Sequence, residues 1–411
     1  MVPRRVVQVV LGSVLLLSSC GTGGSAGAVD GSDVPGAEAA VEIADVPTDA
    51  DAPDAVVLPP DPGAWGPHEV GTTVLELFDE ARQRKVRTVV WYPAKAVDGP
   101  PVKYLLFVTG RAHTDAPADL SGAPYPLVLF SHGFNGVAEQ SVTFTEHLAS
   151  QGYVVAAMNH EGNLLGDAGA DDDEVAVVAL ERPYDVAYAH GQVLERSAEA
   201  GGLLSGLIDP TRVAVSGHSF GGYTALVAAG GQVAVDDAVA ACDAGSPSDI
   251  FCPYVAYWPA GAVEKLEPPI PGLEAVIALC PGGASAFGEH GLDGVAVPSL
   301  LFGGTLDTTT PVDVEIDPIF AMLGAPKYEA VIDGAAHLSF TNVCDIPIAA
   351  RGLKDFCGVE GMRQAADTFP SVNALATAFL NVHVKGDAAY RAWLSADVVA
   401  QRLGAVGWKA E

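Results

Sequence analysis

A serine becomes a nucleophile only when a base can take its proton and its oxygen stands clear of the backbone around it. One stretch of the chain is built for the second requirement: Arg212-Val-Ala-Val-Ser-Gly-His-Ser-Phe-Gly-Gly222 runs a β-branched segment into a Gly-x-Ser-x-Gly turn, and Tyr223-Thr-Ala-Leu-Val-Ala-Ala229 follows as a helix. That is the pattern of a nucleophile elbow with Ser219 at its tip. Gly217 and Gly221 remove the Cβ atoms that would collide in so tight a turn. Among 46 glycines the bare motif carries little weight, so the weight rests on the strand before it and the helix after it. The ordinary alternative is a glycine-rich connector whose serine caps the next helix.

A nucleophile also needs a base, an acid to orient it and donors for the oxyanion; behind such an elbow the acid precedes the histidine in the chain. Val297-Pro-Ser-Leu-Leu-Phe-Gly-Gly-Thr-Leu-Asp307 reads as a buried strand ending in a turn that delivers the carboxylate of Asp307. Asp313, Glu315 and Asp317 are expected on the following helix, facing water. Val331-Ile-Asp-Gly-Ala-Ala-His337 places His337 just past another strand, in a loop of small residues. Of ten histidines it is the best base, with His160 a poor second. One oxyanion donor should be the N–H of Phe220, after the nucleophile; the other should come from Ser131-His-Gly-Phe-Asn-Gly136, with Phe134 as the donor.

These residues must be held by strands alternating with helices. Val74 to Phe78, Val86 to Tyr92, Leu127 to Phe130, Tyr153 to Met158, Val213 to Val215, Ala275 to Leu279, Ser299 to Phe302 and Tyr328 to Ile332 read as strands, with helices over 137–150 and 183–204. The pattern predicts an α/β fold: a mostly parallel central sheet with helices on both faces. Residues 231–273 interrupt the rhythm after the nucleophile helix and form a cap-like excursion with Phe251, Tyr254, Tyr257 and Trp258. Tyr257 and Trp258 are candidates for the substrate pocket; that the aromatics are the excursion's own small core is equally open.

The chain has 411 residues, 49% of them hydrophobic, enough for a large core. A net charge of −30 disfavours nucleic acid as a partner. Arg4 and Arg5 precede the apolar run Val6 to Leu17, which is short for a membrane span and fits an export signal over residues 1–19. Residues 20–62 then read as a tether rich in Gly, Ala, Asp, Ser and Pro, and the catalytic domain as 63–411. Six cysteines fit an oxidising compartment. Cys242 with Cys252, and Cys344 with Cys357, could close short loops, leaving Cys280 as a buried thiol. The acidic run 171–174 could hold Ca²⁺, but a solvated loop is the ordinary reading, and no metal or organic cofactor is expected.

Several blocks together resemble a known superfamily: Val90-Trp-Tyr-Pro93, Pro126-Leu-Val-Leu-Phe-Ser-His-Gly-Phe134, Leu148-Ala-Ser-Gln-Gly-Tyr-Val-Val155, Arg182-Pro-Tyr-Asp185, Gly217-His-Ser-Phe-Gly-Gly222 and Ala336-His337. They look like the bacterial branch of α/β-hydrolases related to platelet-activating-factor acetylhydrolases, dienelactone hydrolases and cutinase-like polyester hydrolases. Leu17-Ser-Ser-Cys-Gly21 likewise resembles a lipobox, which implies acylation at Cys20. In the acetylhydrolases the acid follows the strand next after the elbow, where this chain has Cys280; Asp307 fits the later position used by the other two groups. Polyester hydrolases carry a substrate-stacking tryptophan where Gly282 and Gly283 follow Pro281 here, so small or lipid-like esters are the expected substrates. The resemblance implies a serine esterase tethered to the cell envelope as an exported lipoprotein, meeting the membrane only through its N-terminal lipid. A polyester hydrolase or amidase with the same triad, and a non-catalytic surface binding protein on the same fold, are the alternatives.

Overall fold

The structure, a computed structural model, describes residues 58–167, 172–245, 251–258, 263–266 and 269–411. The expected export signal, Cys20 and most of the expected tether lie outside these residues. The compact unit begins at Leu58. The last residues assigned to the tether are fastened to it: Leu58 packs on the core, and Pro62 O accepts from the buried ring of His147.

Ten strands form one sheet: β1 (Glu69–Leu75), β2 (Thr88–Ala94), β3 (His113–Thr114), β4 (Tyr125–Ser131), β5 (Val154–Met158), β6 (Ile208–His218), β7 (Leu273–Leu279), β8 (Ser299–Gly304), β9 (Lys327–Ile332) and β10 (Val406–Ala410). Their spatial order is β10-β9-β8-β7-β6-β4-β5-β2-β1-β3. From β5 across to β9 every neighbour is parallel; β2 joins antiparallel on one side and β10 on the other. Alternate side chains feed two separate cores: Leu127 and Leu129 of β4 face one, Val128 and Phe130 the other. On the first face lie α2 (Asp172–Ala198) and α3 (Phe220–Ala228); on the second lie α1 (Val142–Ser150) and the helix Ala365–His383. This is the expected α/β architecture, covered on both faces because a parallel sheet buries both.

The chain leaves β4 toward β5 and later returns on the other side of β4 to form β6. Neighbouring strands β4 and β6 therefore send their C-terminal turns in divergent directions, and a crevice opens between them at that edge of the sheet. Ser219 and the 131–136 turn flank this switch point.

Three local expectations differ. The first strand is Glu69–Leu75, while Phe78 enters a short hairpin of Phe78–Asp79 with Arg84–Lys85. Helix α2 runs from Asp172 to Ala198 with Pro183 inside it, where a helix over 183–204 was expected. Its buried stripe explains the tolerance: Ala176 and Ala179 upstream and Val186, Ala189 and Val193 downstream share one apolar face, whose packing offsets the lost backbone bond. The edge strand Val406–Ala410, which turns Val406 and Trp408 toward the core, was not among the expected strands.

The excursion contains a two-stranded pair, Gln232–Ala234 with Val263–Lys265, and a helix, Val235–Asp243. A Cys242–Cys252 disulfide closes it, a Cys344–Cys357 disulfide closes the loop beyond His337, and Cys280 is a buried free thiol. Among the described residues no helix is long and apolar enough to cross a membrane. The 344–357 bridge restrains a segment with exposed Ile348, Leu353 and Phe356, which has little core of its own. Cys344→Ser with Cys357→Ser should therefore cost about 3 kcal/mol of stability in denaturant titration. An unchanged midpoint would show that the bridge adds nothing.

Candidate active site

Ser219 follows the last residue of β6 and precedes α3, with φ 57° and ψ −120°. That backbone lies where side chains are strained, at a cost on the order of 1–3 kcal/mol. The neighbouring glycines make it possible. A Cβ on Gly217 would lie 2.1 Å from Gly221 O, and one on Gly221 would lie 1.9 Å from Ser131 O. Strand β4 thus presses against the elbow so closely that no side chain fits there.

Asp307 lies just beyond β8 and His337 just beyond β9, so neighbouring parallel strands deliver both to the edge that carries Ser219. Ser219 Oγ donates to His337 Nε2 at 2.8 Å, and His337 Nδ1 donates to Asp307 Oδ2 at 2.8 Å. All three residues are buried yet retain 5–7% exposure. The carboxylate has further donors: Thr309 and Thr310 N–H reach Oδ1, and the Thr310 hydroxyl reaches Oδ2. Burial pushes the Asp307 pKa up, but His337 and these donors overcome it and hold it down at about 2. The carboxylate is therefore ionised wherever the imidazole could work as a base.

His337 is also held by its backbone. His218 Nε2 donates to His337 O at 2.9 Å, while Gln140 Nε2 donates to His218 Nδ1 at 3.2 Å. Burial, then the neighbouring His337, lowers the His218 pKa to about 3, so it stays neutral. Cys280 at the end of β7 has φ 47°, and its thiol faces Asp307; burial, then that carboxylate, keeps it protonated.

The turn after β4 faces the elbow. Gly133 N–H is taken by Gln140 Oε1 and Asn135 N–H by Asn163 Oδ1. Between them Phe134 N–H has no protein acceptor among the described residues, nor has Phe220 N–H at the start of α3. Both N–H groups chosen as oxyanion donors are thus open among the described residues.

Other expectations resolve as follows. Glu315 does not face water: it is fully buried and accepts Ala284 N–H at 2.9 Å, because its turn folds under the loop after β7. Trp258 is buried, donates Nε1–H to Ala176 O and packs on Phe251, 5.5 Å between ring centres. It belongs to the excursion's core, and Tyr257 is half exposed. Of the excursion's aromatics, Tyr254 stacks on Phe134, 6.4 Å between ring centres. A Cβ on Gly283 would meet the Phe251 ring at 2.3 Å, so the Gly282-Gly283 pair makes room for the excursion. Thr310, Gln140 and Asn163 were missed, their partners being set by folding rather than by any motif.

Among the described residues one set of metal-type donors converges: His218, Cys280 and His337, within 4.8 Å of one another. Both ring nitrogens of each histidine already serve hydrogen bonds, so the cluster orients His337. Asp171 of the acidic run lies outside the described residues, and Glu174 sits exposed in the first turn of α2, where an acid complements the helix dipole.

If Asp307 holds the imidazole, Asp307→Asn should lower kcat about 10⁴-fold while leaving the two N–H donors in place. Steady-state kinetics checks this, and a loss under about tenfold would remove Asp307 from the role of orienting acid. The family model of platelet-activating factor acetylhydrolase, isoform II, matches residues 103–164, a short stretch that contains β4, the Ser131–Gly136 turn, α1 and β5. That family is of the α/β-hydrolase type, in agreement with the sheet described above.

Proposed function

We propose that the protein is a serine carboxylic-ester hydrolase acting on small or lipid-like esters through an acyl-enzyme. What carries this reading is the hydrogen-bonded line from Ser219 through His337 to Asp307 beside the two open N–H groups of Phe134 and Phe220. The match to platelet-activating factor acetylhydrolase, isoform II, supports a lipid-like ester as the general substrate type.

On this reading His337 Nε2 takes the Ser219 proton as Oγ attacks the ester carbonyl, and the carbonyl oxygen becomes an oxyanion held by the Phe134 and Phe220 N–H groups. Asp307 stabilises the imidazolium. Collapse of the tetrahedral species breaks the bond to the alcohol oxygen, which takes the proton from His337. Water then enters, gives its proton to His337 and attacks the acyl carbon; the acid leaves and Ser219 is restored. The exposed ring of Phe134, stacked on Tyr254, lies beside one donor and gives the apolar part of an ester a surface to rest on.

The mature chain should hydrolyse p-nitrophenyl acetate and butyrate, cleave the matched anilides far more slowly, and be labelled by a fluorophosphonate at Ser219. Peptide mapping locates the label. Absence of both turnover and label would favour a binding protein on this fold.

A further inference from the structure

Beneath the turn after β4 lies a second line of serine, histidine and aspartate. Ser131 Oγ is 2.9 Å from His160 Nε2, and His160 Nδ1 is 3.0 Å from Asp185 Oδ2, the same order of atoms as in Ser219, His337 and Asp307. All three residues have no exposed surface, so no ester reaches Ser131. Burial, then the nearby arginines, drives the His160 pKa well down. The line ends in ion pairs of Asp185 with Arg82 and Arg84.

Arg182 ties this buried group to the turn. It too has no exposed surface, and every arm of its guanidinium is used: Nε donates to Thr224 Oγ1 on α3, Nη1 to Asn163 Oδ1, and Nη2 to Ser131 Oγ and to the His132 carbonyl. Its Cζ lies over the Phe220 ring, 4.5 Å from the ring centre. Burial lowers its pKa, but Asp185 limits the fall to about 9, and the group remains a cation at neutral pH.

Each peptide around Phe134 is consequently pinned. The His132–Gly133 peptide is held at its carbonyl by Arg182 and at its N–H by Gln140. The Gly133–Phe134 peptide is held at its carbonyl, by His132 Nδ1–H and Gly136 N–H. The Phe134–Asn135 peptide is held at its N–H by Asn163, whose carbonyl oxygen is also the acceptor for Arg182 Nη1. Of the three N–H groups in these peptides, that of Phe134 alone finds no acceptor among the described residues, and its direction is set by its fixed neighbours.

We propose that Arg182 is a positioning residue of the oxyanion hole, fixing the Phe134 donor through the His132 carbonyl and Asn163, and the Phe220 donor through its ring and Thr224. The role rests on the ester-hydrolase reading and goes beyond it. Arg182 touches no reacting atom; it sets in advance the direction of two dipoles that must not have to reorganise during reaction. Ser131, His160 and Asp185 hold the guanidinium and the turn together, a catalytic arrangement of groups used for support.

The test compares Arg182→Lys, which keeps the charge without the fork, and Asn163→Ala, which cuts the link to Asn135, with the parent chain on p-nitrophenyl butyrate. A trifluoromethyl ketone, whose adduct with Ser219 places an oxyanion in the hole, serves as probe. Both variants should lose kcat, about 100-fold for Arg182→Lys and about 10-fold for Asn163→Ala, with KM within about threefold. Ketone affinity should fall in proportion to kcat, and the pH–rate profile should keep its midpoint, because the base is untouched. Folded variants with kcat within threefold of the parent, or with lost kcat but unchanged ketone affinity, would overturn the proposal. If Arg182→Lys fails to fold, Asn163→Ala decides alone by the same criteria. A parent chain without esterase activity would instead refute the hydrolase reading itself, so the two failures are distinct.

Discussion

Two backbones meet at the elbow more closely than any Cβ atom allows, and the site depends on that approach. The carbonyl of Ser131, at the end of β4, occupies the space that a side chain on Gly221 would need. Contact of this kind fixes the turn after β4 against the turn after β6 within tenths of an ångström, since neither can slide without collision. On the proposed reading, nucleophile and oxyanion donors come from those two turns. Their relative placement is therefore a property of two neighbouring strands and does not rely on flexible loops.

Around this contact the molecule separates charges it needs from charges it exposes. The chain is strongly acidic, with a net charge of −30, yet the ground beneath the oxyanion turn holds three arginines, Arg82, Arg84 and Arg182. A buried guanidinium is costly unless each of its donors finds an acceptor. Arg182 meets that condition through two hydroxyls, an amide oxygen and a backbone carbonyl, and Asp185 supplies the counter-charge nearby. Removing one partner of such a group leaves a donor or a carbonyl unpaired inside the protein, at about 1–3 kcal/mol. That cost keeps the turn from sampling other shapes, which is the condition for dipoles that stabilise an oxyanion without reorganising.

The elbow was legible in the sequence because its requirements are local: a strand, two glycines four residues apart, and a helix. Asp307 and His337 were legible because each sits one short turn beyond a buried apolar run, and parallel strands must bring such turns to one edge. The support was not legible. Arg182 acts on residues 131 and 132 and on 163 and 224, contacts that only the crossing of α2 over the sheet creates. Glu315 looked like a solvated acid because three acidic residues alternate there, and its burial comes from a partner, Ala284, that is 31 residues away. Trp258 could have lined a pocket or filled a core, and the carbonyl of Ala176 on α2 decided for the core.

The central claim is that Phe134 and Phe220 N–H groups face the place where charge develops once Ser219 has attacked. A crystal structure of the chain phosphonylated at Ser219 reads this directly, because the phosphoryl oxygen stands in for the oxyanion. The account predicts that oxygen about 2.7–3.1 Å from both nitrogens, with Arg182 still bound to the His132 carbonyl. A phosphoryl oxygen turned to solvent, or bonded to another part of the chain while both N–H groups remain open, would contradict it.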